Sequence, residues 1–342
     1  MANYASAVLV KAQPKLINAF QNLELRYRDP SVHKLFVKNT SIMLPDYQSL
    51  LTRQDRAIET NYRLRTSRTL GTGSVHNHVG TTGDSATLTP TWTEKTDVFA
   101  TTLKQAGNKI LTLDEIHTNE LFNAISNMIN GLDTAASSYL FANRSGVNIA
   151  VADGTFDVVD DVFQITESTK GDLAVQITDT VSKINKYGGT RYSIVADSVA
   201  YNKFRGQRNQ GAGNSFNTSF QFDGLEIIHA PDLTAAFGGL VGAYSKGAWI
   251  LVPEGSISSL PWIEPEKRQG VVTSVNRYSS IINPIDGLTY GLHTYETRSD
   301  GTALGGSVQD VTVETAINIF TSLQHAPLSV AGETPLLAFA LV

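Results

Sequence analysis

The residues best placed to do chemistry are His76, Asn77 and His78, read as the contiguous triplet HNH. Histidines at i and i+2 share one face of a strand, and Asp84 follows closely enough to approach them. Two imidazoles and a carboxylate are the start of a metal site, but such a site needs its ligand set completed and held by a second layer of hydrogen bonds. The nucleases known by those three letters do not use a contiguous tripeptide. The other five histidines are scattered and form neither HxH nor HxxxH. Asp157, Asp160 and Asp161 form the second grouping. A divalent cation and a solvated acidic turn are its two readings, and the turn is the expected one. The chain has no cysteine, which removes disulfides and thiolate metal sites. "GTGSVHNHVG" and "GAGNSFN" fit neither phosphate-loop pattern, and no GxSxG elbow occurs. "RYRDP" and "RLRTSR" are basic but lack the interleaved aromatics of a single-strand binder. The expectation is a chain with no catalytic centre, no cofactor and no resident metal.

The composition points the same way. Of 342 residues, 41% are hydrophobic and only 17% charged, so a real core can form while Ser, Thr, Asn and Gly make up the polar surface. Such a surface suits a protein partly covered by partners. No apolar run approaches the roughly 18 residues of a membrane span, and no partner membrane is expected. "MANYASAVLVKAQPK" lacks a basic start, apolar core and cleavage site, so a cytoplasmic chain without a signal peptide is expected. The net charge of −5 is uneven. Residues 1–70 hold 11 Lys and Arg against 5 Asp and Glu, and the rest hold 16 against 27. A basic arm on an acidic body suits contact with nucleic acid, or with an acidic neighbour of the same kind.

The elements that must position these groups begin with an arm at 1–55, where "PKLINAFQNLEL" could form a short helix. Residues 56–112 read as a long β-hairpin. "RAIETNYRLRTSR" and "TPTWTEKTDVFATTLKQ" are its expected strands, and "TLGTGSVHNHVGTTGDSATL" its tip. The second strand alternates, with Trp92, Glu94, Thr96 and Val98 on one face and Thr93, Lys95, Asp97 and Phe99 on the other. A two-stranded ribbon of this kind is marginal alone in water and must lie on something. One unbroken amphipathic helix follows over 113–146. Leu121, Phe122, Ile125, Met128, Ile129, Leu132, Ala136, Tyr139 and Leu140 follow spacings of 3 and 4, Asp114 is its expected cap and Gly146 its end. Further on, a second amphipathic helix is predicted in "DLAVQITDTVSKINKYGG", a buried strand in "TRYSIVAD" and a short helix in "SVAYNKFRGQ" capped by Ser198. Strands follow in "FDGLEIIHAPDL" and "AWILVPEG", and the stretch from Val271 is β-rich.

This order of elements resembles the major capsid protein of tailed bacteriophages, the Hong Kong 97-like fold. The stretch "YSIVADSVAYNKFR…FQFDGLEIIHAPDL" carries the resemblance most specifically. It is similar to the family's strand, capped helix, loop, and strand leading to a Pro turn. The resemblance implies an α+β fold divided into an N-terminal arm at 1–55, an extended hairpin loop at 56–112 and a peripheral domain with a spine helix at 113–170. An axial domain at 171–270 follows, then C-terminal β segments at 271–342. It also implies a structural, non-enzymatic protein that assembles with itself into the pentamers and hexamers of an icosahedral head. Lys11, Lys15, Arg26 and Arg28 of the arm, and Arg63, Arg65, Arg68, Trp92, Glu94 and Lys95 of the hairpin, would meet neighbouring subunits. The loop holding Gly206, Gln207, Arg208, Asn209, Gln210, Gly211 and Asn214 would approach the capsomer axis.

Scaffolding, portal and decoration proteins are the further partners the resemblance implies. Packaged double-stranded DNA would be held without sequence specificity, its sliding helped by a negative inner surface, and the location would be the virion after assembly in a host cytoplasm. Some family members crosslink a loop lysine to a neighbour's asparagine. Lys95, Lys104 and Lys109 are the hairpin lysines here, and no asparagine partner is identified for them. An encapsulin-type nanocompartment shares the fold and is the nearest alternative; a cytoplasmic α/β enzyme and another virion part are the others.

Overall fold

A computed structural model describes residues 14, 15, 18, 29–44, 47, 59–63, 85–102, 113–146, 155–166, 178, 191–207, 219–222, 225–273, 276–283, 285–299, 310–328 and 332–342. The five named helices are α1 (Ser31–Met43), α2 (Leu113–Ala142), α3 (Ser198–Gln207), α4 (Asp232–Gly238) and α5 (Pro265–Gln269). The first strands are β1 (Thr60–Arg63), β2 (Ser85–Leu88), β3 (Thr93–Thr102), β4 (Thr155–Asp157), β5 (Val162–Ile165), β6 (Tyr192–Ala196) and β7 (Ser219–Phe222). They continue with β8 (Leu225–His229), β9 (Ala248–Pro253), β10 (Ile257–Trp262), β11 (Asn276–Ile282), β12 (Thr289–Ser299), β13 (Asp310–His325) and β14 (Leu337–Leu341). The α+β class expected from the sequence is the one observed.

Two sheets carry the molecule. Apolar runs such as "YSIVA", "AWILVP" and "LAFAL" have no polar alternation, so their strands must be covered on both faces. They form β6, β9 and β14, buried throughout, at the centre of a seven-stranded mixed sheet of order β4-β5-β14-β9-β6-β8-β7. Ile194, Trp249, Leu251 and Phe339 pack on one face with Tyr201 and Phe204 of α3. Val195, Ile250, Ala338 and Ala340 pack on the other with α1 and α4. The second sheet is antiparallel and built on β13. β3 lies along one edge of β13. Phe320 and Thr321 of β13 face both β3 and β10, so β10 takes the opposite edge, in line with β12. β11 closes this sheet beyond β12.

Helix α2 has 30 residues, about 45 Å at 1.5 Å each, and so reaches across both sheets. Its stripe is shared between two cores. Leu121, Ile125, Met128, Ile129 and Leu132 lie on the five-stranded sheet with Tyr290, Leu292, Ile317 and Ile319. Ala136 and Leu140 enter the other core beside Val32, Phe36 and Phe237. His117, fully buried, fixes the early turns: Thr101 Oγ1 lies 3.2 Å from Nδ1 and Thr315 Oγ1 lies 3.4 Å from Nε2. Hydroxyls both donate and accept, so either neutral tautomer is satisfied.

Helix α1 begins after Pro30, whose side chain offers no acceptor for the free N–H groups of the first turn. Asp133 of α2 supplies one. Its Oδ1 accepts from Val32 N–H at 3.0 Å and His33 N–H at 3.1 Å, and the residue is 1% exposed. A distant carboxylate thus does the work of a local N-cap, at the positive end of the helix dipole. The other end of α1 is tied to the start of β10: Asn39 Oδ1 accepts Gly255 N–H at 2.7 Å, and Thr40 Oγ1 accepts Ser259 N–H at 2.9 Å.

Four sequence expectations change. The hairpin is β1 with β2, in register Thr60↔Leu88 to Arg63↔Ser85, so its second strand falls within the stretch expected to be the tip. The strand expected there, β3, instead joins β13 from Thr93↔Thr321 to Thr102↔Thr312. Its alternation was legible because one face turns inward; its partner, more than 200 residues away, was not. The cap of α3 is Asp197 rather than Ser198, with Oδ1 accepting Ala200 N–H at 2.6 Å. Ser198 Oγ meets His229 Nε2 at 3.0 Å instead. The two short strands expected after the spine helix do form, as β4 and β5, paired at one edge of the seven-stranded sheet. Finally, α2 ends at Ala142, before Gly146, and begins at Leu113, which places Asp114 inside its first turn. The second amphipathic helix lies outside the described residues except Thr178, which is helical and buried and accepts Trp249 Nε1–H at 3.1 Å.

Two predictions follow from α1. Asp133→Ala leaves two buried N–H groups unpaired and should cost about 2–4 kcal/mol in urea unfolding. Burial pushes His33 from its ordinary 6.5 down to about 4. The unfolded chain therefore binds this proton first as pH falls, and stability due to His33 declines from pH 6.5 to about 4, by about 3 kcal/mol in all. Urea midpoints against pH should show that decline, and His33→Leu should flatten it.

Candidate assembly surfaces

The five-stranded sheet has two unlike faces. Lys95, Asp97, Phe99 and Thr101 of β3 point toward α2, while Glu94, Thr96, Val98 and Ala100 are exposed on the other side, Val98 to 62%. This outer face continues across β13 through Glu314 and Ala316, both half-buried, to an aromatic row on β12 and β11. Tyr278 stacks on His293 with centroids 4.5 Å apart and planes 8° from parallel, and Tyr295 stacks on the same imidazole at 5.8 Å. The Tyr295 hydroxyl bonds the Glu314 carboxylate, which raises the phenol above its ordinary range. Burial, with Lys267 nearby, holds His293 below its ordinary value, so the stack is neutral near pH 7. The face thus offers rings, hydroxyls and the exposed Val98 and Ile282 rather than a dense charge field.

A groove of about 770 Å³ runs along the inner side, lined by Thr93 and Lys95 of β3, Asn130, Gly131 and Ser138 of α2, and Leu323 of β13. Among the described residues β3 pairs only with β13, so its other edge carries no strand among them. Gly131 has open space where a Cβ would stand. Packing does not require the glycine, and its absent side chain widens the groove.

At the far corner, beside β4 and β5, the acidic run forms a rigid turn. Asp157 Oδ1 accepts Val159 N–H at 2.9 Å, and its Oδ2 accepts the Tyr244 hydroxyl at 2.9 Å and Gln164 Nε2 at 3.0 Å. Those bonds, the one from Val159 foremost, hold this carboxyl below its ordinary value, while burial and the neighbouring carboxylate push the Tyr244 phenol up to about 12. Asp160 Oδ2 accepts Gly242 N–H at 2.7 Å and Oδ1 accepts Val241 N–H at 3.2 Å. Arg144 Nε donates to the Asp160 carbonyl at 2.8 Å, which joins the end of α2 to the same corner. A Cβ on Gly242 would sit 2.5 Å from the Tyr244 ring, so this close approach requires glycine. The result is an apolar knob: Val158, Val159 and Val241 are 74%, 69% and 83% exposed. The expected turn is observed at 158–161; Asp157 and Asp161 stay partly exposed, while Asp160 is buried and its carboxylate is used to shape the turn.

Of the residues expected to meet neighbours or the capsomer axis, the structure describes Lys15, Arg63, Trp92, Glu94, Lys95, Gly206 and Gln207. Trp92 turns inward, against Met43, Leu44, Leu260 and Ala326. It stays partly exposed, so one side of the indole is held by its own chain and the other reaches the surface. Glu94 is exposed and accepts from Asn318 Nδ2 at 2.9 Å. Lys95 lines the groove, Lys15 is helical and exposed, and Arg63 lies in β1 opposite Ser85. Gly206 is exposed at the end of α3, which closes with Gln207. Lys11, Arg26, Arg28, Arg65, Arg68, Arg208, Asn209, Gln210, Gly211 and Asn214 lie outside the described residues, as do His76, His78 and Asp84. Among the described residues no three His, Asp or Glu side chains are grouped as metal ligands, and no helix is long and apolar enough to cross a membrane. Ser259 Oγ lies 3.4 Å from His33 Nε2, yet that imidazole, pushed down to about 4 and with Nδ1 unpartnered, is too weak a base for a nucleophilic pair. Sequence reasoning missed the valine knob. Its signal was "DVVDD", an apolar pair inside an acidic turn.

No family model matches this chain, and no curated protein matches it. Solved structures give matches of low identity. The Cyanophage Pam1 capsid asymmetric unit is 12% identical, with 86% of this chain and 87% of that chain covered and a TM-score of 0.47. A structure from Mycobacterium phage Cain is 9% identical, with 93% and 92% covered and a TM-score of 0.47. The mature capsid asymmetric unit of bacteriophage PhiM1 is 12% identical, with 85% and 84% covered and a TM-score of 0.42.

The knob has its own test. Asp160→Ala removes the acceptor of two N–H groups and should cost about 1–3 kcal/mol. Thermal unfolding reads the loss, and hydrogen exchange should show it concentrated at 241–242.

Proposed function

We propose that this chain is a structural shell protein, whose copies associate as pentamers and hexamers of an icosahedral phage head around double-stranded DNA. The observation that carries the reading is the β1–β2 ribbon. Among the described residues it pairs with no third strand, and Ser85 and Thr87 are exposed on it. Two strands alone are marginal in water; Leu88 rests on the chain's own small cluster with Met43, Leu44 and Leu260, and the exposed side of the ribbon gains from a further surface. Self-association supplies that surface. The outer face of the five-stranded sheet, the groove beside β3 and the valine knob are the places on a neighbour suited to receive it or a similar extended segment.

Charge supports the same reading. The first 70 residues are basic and the remainder acidic, so an arm from one copy is attracted to the body of the next. The hairpin and arm basic residues named above, with Lys95, are the proposed inter-subunit contacts. The loop after Gly206 is the proposed approach to the capsomer axis, and the ranges inferred from the sequence resemblance are the proposed domain divisions. An acidic body leaves packed DNA without a sticky wall, and scaffolding, portal and decoration proteins are the proposed additional partners. Activity here is geometric, and the chain's role requires no bond to be made in a substrate.

Sedimentation velocity and negative-stain microscopy of the full chain, expressed alone and alongside a scaffolding protein, test this. Closed shells or capsomer rings are expected, with nucleic acid inside particles taken from infected cells. The pair Val158→Asp and Val241→Asp, at exposed positions, should leave the monomer's stability within about 0.5 kcal/mol and shift the population toward free subunits. A monomer under every condition overturns the proposal, and particles that hold enzyme cargo and no DNA replace it with a nanocompartment.

A further inference from the structure

Helix α5, the glutamate that precedes it and the middle of β13 bring a buried lysine and asparagine together with a half-buried carboxylate. Lys267 is 8% exposed and Asn318 is 3% exposed. Lys267 Nζ donates to Asn318 Oδ1 at 2.7 Å and to Glu264 Oε1 at 3.1 Å. Asn318 Nδ2 donates to the same Glu264 oxygen at 3.1 Å and to Glu94 Oε1 at 2.9 Å. One carboxylate oxygen therefore stands between the amine and the amide nitrogen. The other, Glu264 Oε2, is buried with no hydrogen-bond partner among the described residues.

The backbone around these groups is built for this approach. Gly291 of β12 lies directly opposite Asn318 across the ladder. A Cβ at Gly291 would come within 2.6 Å of Lys267 Cδ and 2.8 Å of Asn318 Oδ1. Only a glycine lets the lysine stem lie across the strand and reach the amide. The amide's orientation is fixed by its partners, since two carboxylates require the N–H₂ on their side and the ammonium requires the oxygen on its own.

We propose that Lys267 and Asn318 form an intrachain isopeptide bond, with Glu264 as the proton carrier. The Glu264 carboxylate takes a proton from the Lys267 ammonium, leaving a neutral amine. After rotation off the oxygen, the amine's lone pair attacks Asn318 Cγ, and the C=O electrons move to Oδ1. Glu264 returns its proton to Nδ2. The Cγ–Nδ2 bond breaks as the C=O re-forms, and ammonia leaves with the electron pair. The carboxylate then takes the surplus proton from the new amide nitrogen and passes it to the ammonia. The net change is ammonium plus primary amide to secondary amide plus ammonium ion. No oxidant, reductant or cofactor enters. Glu94 is a positioning residue that holds Nδ2 toward Glu264.

The bond would join α5 to β13 across the five-stranded sheet and enclose β11 and β12. It would restrict the unfolded chain as a disulfide does, in a sequence that has no cysteine to supply one.

Intact-mass spectrometry of the denatured full chain decides the matter. The expected mass is lighter than the sequence by one ammonia, and digestion should yield a single branched peptide joining the Lys267 and Asn318 segments. Glu264→Gln should restore the full mass by removing the proton carrier, and Lys267→Arg should restore it by removing the nucleophile. Because the wild-type mass is read on unfolded protein, a variant that fails to fold does not blur the outcome. A wild-type chain of full mass after prolonged incubation overturns the proposal and leaves an ordinary buried ion pair. So does a mass deficit that persists in Lys267→Arg, which would place the lost ammonia elsewhere.

Discussion

Helix α2 must serve two sheets with one apolar stripe, and most of the fold depends on how that is arranged. Leu121 to Leu132 commit the helix to the five-stranded sheet, and Ala136 and Leu140 commit it to the other core. Asp133 stands at the changeover. A buried carboxylate is costly unless it is hydrogen-bonded, and Asp133 meets that condition by holding the first turn of α1. The same helix turn also carries Thr134, whose hydroxyl donates to Asp232 at the start of α4 at 3.0 Å. Two adjacent residues of one helix thus place the two helices, α1 and α4, that cover one face of the seven-stranded sheet. Tyr139 extends the tie to β13 by meeting His325 Nδ1 at 2.9 Å and Phe36 edge-to-face. The sheets cannot shift relative to each other without breaking contacts made by one continuous helix.

Much of this was legible because it is periodic. The stripe of α2, the uninterrupted apolar runs of β6 and β9 and the short helix over "SVAYNKFRGQ" all follow from local pattern. What escaped was non-local. The alternation of β3 specifies which residues turn inward and says nothing of which strand lies beside it; the choice of β13 depends on Phe99 and Thr101 finding α2 beneath them. The cap of α1 escaped for a like reason, since Pro30 gives no hint that an acceptor arrives from Asp133. For the candidate surfaces the lesson is harsher. Nothing local told that Trp92, just before β3, would rest partly buried beside Leu260, while Val158 and Val159 read as part of an acidic turn and form its apolar tip.

Histidine placement shows how little charge the interior tolerates. Burial lowers His33, His293 and His325, so these rings are neutral near pH 7. Each is used as a neutral group: His33 of α1 beside Ser259 of β10, His293 between two tyrosine rings, His325 at the Tyr139 hydroxyl. Acidification would charge these sites together. The proposed shell would therefore weaken within its subunits as well as between them, and acid sensitivity of an assembly need not report on its interfaces.

The same economy of charge bears on assembly. Holding a lysine or glutamate at an interface costs more side-chain entropy than holding serine, threonine or valine, and burying its charge without a partner costs more again. The exposed faces here carry mostly the cheaper kind: Thr96, Val98 and Ala100 on β3, and Val158, Val159 and Val241 on the knob. Each contact gains little by itself. A closed shell repeats every contact many times, so weak, low-entropy interfaces suffice for a stable particle and still allow misplaced subunits to leave. Strong single contacts would trap errors. A surface of hydroxyls and isolated valines on a two-sheet frame is consistent with that requirement of the proposed shell.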